Sequence, residues 1–147
     1  MAYSARAVAN SLIELANQKG IPDVSPMKLQ KLIFYAQSWY LRLYNTELFN
    51  DPIERWQYGP VVRSVYDEFK SYGALPITSL ASDAQGFIPT IRPNDPTTKD
   101  FLNKILDVYG QNTAEQLSNM THQPGTSWSF GAPNTIITLD ELKQGVL

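Results

Sequence analysis

The sequence predicts a mostly α-helical fold of about five to six helices packed around one buried helix, with a small β-hairpin-like element. Three observations lead there. The run at residues 27–40 is apolar almost all the way round, which suits a helix passing through an interior. Further segments carry apolar residues at helical spacing between capping residues and glycines. Strand-like stretches are confined to residues 53–58 and 86–91. With 147 residues, 43% of them hydrophobic, the chain fits one domain, 1–147. A domain of that size buries roughly 70% of the surface its unfolded chain exposes, so it needs no staple.

Each element follows from local signals. Over residues 3–19, Ala5, Val8, Ala9, Leu12 and Ala16 fall on one stripe and Arg6, Asn10, Glu14 and Asn17 opposite, giving an amphipathic helix stopped by Gly20 and Pro22. Ser25-Pro26 opens the second helix, with Ser25 as cap and Pro26 at the first position, where its missing N–H is no loss. Leu29, Leu32, Ile33, Ala36, Tyr40 and Leu43 form its buried stripe, and Asn45 ends it. Lys28, Lys31, Tyr35 and Arg42 are spaced to share another face, mildly basic and expected to be exposed. Asp51-Pro52 is a turn before a strand at 53–58, and Gly59-Pro60 is read as the start of a third helix ending at Gly73. Residues 74–96 are irregular; the strand expected at 86–91 would pair with 53–58, although Pro89 confines it to an edge. Thr97 or Thr98 is expected to cap a fourth helix, carrying Phe101, Leu102, Ile105, Leu106 and Tyr109 and closed by Gly110. Thr113 to Gln116 and Thr138 to Glu141 have capping-box form and open two last helices.

Composition narrows the function classes. Cysteine is absent, which removes disulfides, thiol catalysis and cysteine-based zinc sites. Residues 1–70 carry eight basic and seven acidic side chains, and the remainder four and seven, for a formal charge of −2. Such a balance disfavours a dedicated nucleic-acid binder. No stretch approaches the roughly 20 apolar residues of a membrane span. Polar residues interrupt any signal-peptide centre near the start, so the expectation is a soluble cytoplasmic protein.

Catalytic chemistry is thin. His122 is the only histidine, and Ser118 stands one helical turn before it without a nucleophile elbow. The residue types suit a helix-end cap that fixes the turn from Pro124 to Trp128. Phosphate-cradling loops and metal-ligand spacings are absent from the sequence, so no cofactor is expected and an enzyme, such as a hydrolase centred on His122, is a minority reading. Lys28, Lys31, Arg42, Arg55 and Arg63 interleave with Tyr35, Trp39 and Trp56, a pattern that can hold phosphate and stack bases. Asp51, Glu54, Asp67 and Glu68 partly match those cations, which makes a solvated, internally paired face the better account. Eight tyrosines and three tryptophans leave protein–protein contact as the strongest remaining class.

Three separated motifs carry a resemblance. Lys28 to Leu32 with Tyr35-Ala36-Gln37 and Trp39, then Trp56, Tyr58, Gly59, Pro60 and Val61 leading to Tyr66, Phe69 and Tyr72-Gly73, then Thr121, His122 and Trp128, resemble the Panacea domain. That is the family of SocA-like bacterial antitoxins and phage-associated proteins. Gln123 and Thr126-Ser127 depart locally from the family pattern. The resemblance implies a non-enzymatic antitoxin that neutralises a toxin, encoded by an adjacent gene, through direct contact. One branch of the family implies an alternative, an adaptor delivering its partner to an ATP-dependent protease. The family-motif residues Gln30, Trp39, Trp56, Tyr58, Gly59, Pro60, Tyr66, Thr121, His122 and Trp128 are expected to be structural, and Lys28, Lys31, Tyr35 and Arg42 to meet the partner.

Overall fold

The computed structural model describes residues 2–147 as six α-helices and a three-stranded antiparallel sheet. In chain order these are α1 (Ala5–Gln18), α2 (Pro26–Tyr44), β1 (Ile53–Trp56), β2 (Gly59–Val61), α3 (Arg63–Phe69), α4 (Pro96–Tyr109), α5 (Ala114–Thr121), β3 (Ile136–Ile137) and α6 (Leu139–Gln144). Short 3-10 turns follow α3 and α5, at Lys70–Tyr72 and Ser127–Phe130. No described helix is long and apolar enough to cross a membrane.

The caps are where the residue types put them. Ser25 accepts from the Lys28 amide with Pro26 in the first turn, and Asn45 closes α2 in the left-handed region, at φ 53°. Both expected capping boxes form, at Thr113–Gln116 and Thr138–Glu141. The fourth helix starts earlier than expected. Asp95 caps it by accepting from the Thr98 amide, and Pro96 takes the first turn, so neither Thr97 nor Thr98 is the cap. A carboxylate beside unpaired N–H groups is the stronger acceptor, and proline suits the position after it.

Helix α2 touches α1, α3, α4, α5, α6 and β2. Leu29, Leu32, Ile33 and Phe34 are essentially inaccessible and join Leu12, Phe49, Leu102, Leu106 and Leu117 in one contiguous apolar cluster. Fully burying a side chain of this kind contributes about 1.5–3 kcal/mol, so the cluster outweighs any cap.

The sheet corrects two expectations. Gly59-Pro60 belongs to β2, and α3 begins only at Arg63. Pro60 sits opposite Arg55, whose backbone bonds point the other way, its N–H to the Thr135 carbonyl and its carbonyl to the Asn134 N–H. A proline costs nothing at such a position, because no ladder bond is asked of it. The third strand is β3, which pairs with β1 in the order β2-β1-β3, and residues 86–91 form no strand.

Residues 74–95 are instead fastened to α1. The Asn10 amide donates to the carbonyls of Ala81 (2.8 Å) and Pro89 (2.9 Å) and accepts from the Ala81 N–H (2.9 Å), while the Ser11 hydroxyl accepts from the Ile91 N–H. Asn10, expected on the polar face, is fully buried for this reason. Replacing it by alanine (Asn10→Ala) takes the partner from the buried N–H and carbonyl of Ala81 and from the half-buried Pro89 carbonyl, a loss of about 2–3 kcal/mol. Urea unfolding should show that loss, and amide exchange should accelerate across residues 81–91 before it does in the hairpin.

Candidate functional site

The three sequence motifs meet at one place, the β1–β2 hairpin, and they hold it by its backbone. Five carbonyls between residues 56 and 62 each receive a side chain from elsewhere in the chain. Trp128 Nε1 donates to the Trp56 carbonyl (3.0 Å), His122 Nε2 lies 2.9 Å from that of Gln57, and the Ser118 hydroxyl donates to that of Tyr58 (2.8 Å). From α2, Lys31 Nζ donates to the Pro60 carbonyl (3.3 Å) and Gln30 Nε2 to that of Val62 (3.2 Å). Gln30 closes a second bond by accepting the Val62 N–H at 2.8 Å, as a neighbouring strand would.

Gly59 is the close approach that makes this possible. Its φ is 115°, and a Cβ there would lie 2.9 Å from both Lys31 Cε and Thr121 Oγ1. Hence a lysine of α2, a glycine of the hairpin and a threonine of α5 occupy one contact. Thr121 is fully buried and donates to the Ser118 carbonyl. His122 ends α5, with Nδ1 2.6 Å from that same carbonyl and its ring tilted on Trp128 at 4.1 Å. Its two ring nitrogens therefore face carbonyls, and the Ser118 hydroxyl is committed to Tyr58, so no serine–histidine pair exists.

The exposed basic face expected on α2 is not there. Lys28, Lys31 and Tyr35 are buried, because neighbouring elements surround the first two-thirds of the helix. Lys28 donates to Asp23 (2.7 Å) and to the Gly110 carbonyl (2.6 Å), tying α2 to the end of α4. Tyr35 stacks on Tyr109 with ring centroids 4.0 Å apart, and burial pushes its phenol well above the usual tyrosine range. Trp39 donates to the Tyr109 hydroxyl at 2.7 Å. Arg42 is exposed, but it donates to the carbonyls of Leu142 and Gly145 and so closes α6.

Arg55 likewise leaves the surface. All five of its N–H groups are used, on the carbonyls of Ser127, Trp128 and Ile136, on Thr135 Oγ1 and on Glu141 Oε2. Gly131 makes room for it, since a Cβ there would lie 2.6 Å from the guanidinium carbon. A sequence signal existed. Strand alternation puts Arg55 on the inward side with Ile53, and the burial along β1 follows that period.

Between α2, the hairpin and α3 lies a half-open cleft of about 420 Å³, which no sequence pattern announced. Met27, Gln30 and Lys31 of α2, Trp56 and Tyr58 of the hairpin, and Tyr66 of α3 line it. Tyr58 is 62% exposed at the hairpin tip. Trp56 is held edge-on against Tyr66 at 4.8 Å, with the Arg63 guanidinium 5.1 Å over its ring and Glu54 accepting its Nε1 and the Arg63 side chain. The hydrogen bonds from Arg63 hold the Glu54 carboxyl below the usual range. Lys31 is part of the cleft lining, with its pKa pulled down to about 7 by burial.

Comparison with known proteins fits this convergence of motifs. Residues 29–129 match the family described as antitoxin SocA-like, Panacea domain. The chain is 33% identical, over 128 residues, to the Antitoxin SocA of Caulobacter vibrioides (strain NA1000 / CB15N), a match spanning 84% of this chain and 68% of that protein. No solved structure matches. The chain belongs to the SocA-like Panacea family.

Two outcomes follow from this geometry. Substituting Gly59 by alanine (Gly59→Ala) forces an L residue to φ 115° and its Cβ into Lys31 and Thr121. The backbone strain alone costs about 1–3 kcal/mol, so chemical denaturation should show a loss of at least that size. Lys31 sets a pH dependence. Between about pH 7 and the ordinary lysine value of 10.5, the unfolded chain keeps a proton that the folded chain releases. Stability therefore rises with pH across that window, and below it the folded state bears the full cost of a buried ammonium. Urea titrations from pH 7 to 10 should show the rise in the native protein. Lys31→Met should lack it and be the more stable of the two at pH 7.

Proposed function

We propose that this chain is an antitoxin, one domain spanning 1–147, that neutralises a partner toxin in the cytoplasm by direct protein–protein binding and without an enzymatic step. Membership of the SocA-like Panacea family across residues 29–129 carries this reading. The similarity to a protein that is itself an antitoxin supports it.

The disposition of the polar side chains supports binding over chemistry. His122, Ser118, Lys28 and Arg55 are engaged in holding backbone carbonyls or in internal ion pairs. A general base needs a free nitrogen within reach of a substrate proton, and His122 presents both of its nitrogens to the protein. The basic face that a nucleic-acid reading requires at residues 28–63 loses Lys28, Lys31 and Arg55 to the interior, while Arg63 pairs with Glu54. Leu43, Tyr44 and Tyr58 remain exposed in that stretch, side chains of the kind that anchor protein partners.

The partner is the product of an adjacent reading frame. Inducing that frame alone should arrest growth, co-expressing this chain should restore it, and the two should co-purify in fixed stoichiometry. Rescue that persists in cells lacking ATP-dependent proteases indicates occlusion; rescue lost there indicates delivery for degradation. A harmless neighbour, or an arrest that this chain does not relieve, overturns the antitoxin reading.

A further inference from the structure

Among the described residues, Lys31 is the buried cation that no carboxylate pairs. Lys28, one turn earlier on α2, gives its ammonium to a carboxylate and a carbonyl. The Arg55 guanidinium fills every donor. Lys31 is 1% exposed and has one acceptor, the Pro60 carbonyl at 3.3 Å. No carboxylate among the described residues forms an ion pair with it. An ammonium carries three donors, so two are left without a protein partner.

The surroundings say what would complete it. Lys31 lines the cleft of about 420 Å³ described above, and the only other charged residue in that lining is Lys70. A ligand entering there meets two lysines and no lining carboxylate; Lys70 has only an exposed, long pair with Asp67 at 3.6 Å, and Lys31 has none. The walls are apolar or aromatic at Met27, Val61, Trp56, Tyr58 and Tyr66. The hairpin that carries two of those aromatics is fixed by its five bonded carbonyls, so little freedom remains to be lost on binding.

We propose that this cleft is the partner-binding site, and that its occupant is a segment of the toxin presenting an aspartate or glutamate to Lys31 and Lys70 beside an apolar side chain seated against Met27, Trp56 and Tyr66. The proposal rests on the antitoxin reading and gives it a surface. A carboxylate supplies the acceptors that the Lys31 ammonium lacks, in a cavity where such a bond is little screened. A phosphate backbone is the poorer fit. It needs a track of cations, and outside the cleft Arg63 is already neutralised by Glu54. Seating the carboxylate restores the charged form of Lys31, so association above neutral pH takes up a proton.

The test titrates the adjacent-frame product, carrying a substitution that abolishes its toxicity, into the native chain and into Lys31→Met, Lys70→Glu and Tyr58→Ala variants. Isothermal calorimetry in two buffers of different ionisation enthalpy reads both affinity and proton uptake. Lys31→Met is expected to weaken binding roughly 10- to 100-fold and to abolish the uptake seen at pH 8. Lys70→Glu and Tyr58→Ala change exposed side chains, so they decide the matter even if Lys31→Met fails to fold; each is expected to weaken binding roughly tenfold. Native binding and rescue with the folded variants all within twofold of it would falsify the cleft and leave the antitoxin reading standing. A native chain that neither binds nor rescues overturns both. Lys31-dependent binding of a single-stranded oligonucleotide in place of the toxin overturns the carboxylate partner in favour of a phosphate one.

Discussion

The side-chain support of the β1–β2 hairpin carbonyls is the constraint on which the rest of the structure turns. A two-stranded hairpin with a short β3 beside it is marginal alone in water. Here its peptide groups are met by α2 through Gln30 and Lys31, by the end of α5 through Ser118 and His122, and by the 3-10 turn at Ser127–Phe130 through Trp128. Each bond contributes only about 1 kcal/mol net, but together they tie three distant elements to the same short backbone segment. Elements far apart in sequence are thereby locked to one small backbone segment. Arg55 extends the same logic beneath the sheet, joining β1 to residues 127–141 with every donor it has.

That arrangement changes what the sequence motifs mean. The Lys-Leu-Gln-Lys-Leu run, the Gly-Pro step and the Thr-His step are one packing unit distributed along the chain. Gly59 fits because Lys31 and Thr121 close on the space a Cβ would take. Pro60 fits because the ladder bonds of Arg55 point away from it. Gln30 fits because its amide can do for Val62 what a strand would. Motif residues that look chemically interesting one at a time are, in the fold, occupied with one another. Lys31 is the exception, because its aliphatic stem supports the contact while its charged end is under-served.

Local signals were legible where a single turn of chain decides the outcome. Ser25-Pro26, Asn45 and the two capping boxes are read from residue types whose side chains bond their own helix ends, and the structure has them so. What escaped was settled by distant partners. The stripe of Lys28, Lys31 and Tyr35 has the same spacing as an exposed face, and only the presence of α5, α4 and the hairpin around α2 buries it. Residues 86–91 carry strand-like composition, yet Asn10 and Ser11 of α1 bind the backbone groups at 81, 89 and 91. Proline commonly opens helices, so Pro60 reads as a helix start; the register against Arg55, invisible in one sequence, allows it in a strand instead. The cleft had no signature at all, since its lining comes from α2, the hairpin and α3.

The two kinds of buried cation divide the molecule into a part that is finished and a part that is open. Removing Arg55 takes the donor from the Ser127, Trp128 and Ile136 carbonyls at once. Such a residue can only serve the fold. Lys31 works in the opposite sense: a group held below its ordinary pKa by desolvation lowers stability at neutral pH, and a methionine of similar reach would not. Stability withheld at this point is returned when a ligand binds the folded form alone. On the proposed reading, an aromatic-walled cleft with an under-served lysine in its lining thus gains most from an acid-bearing partner.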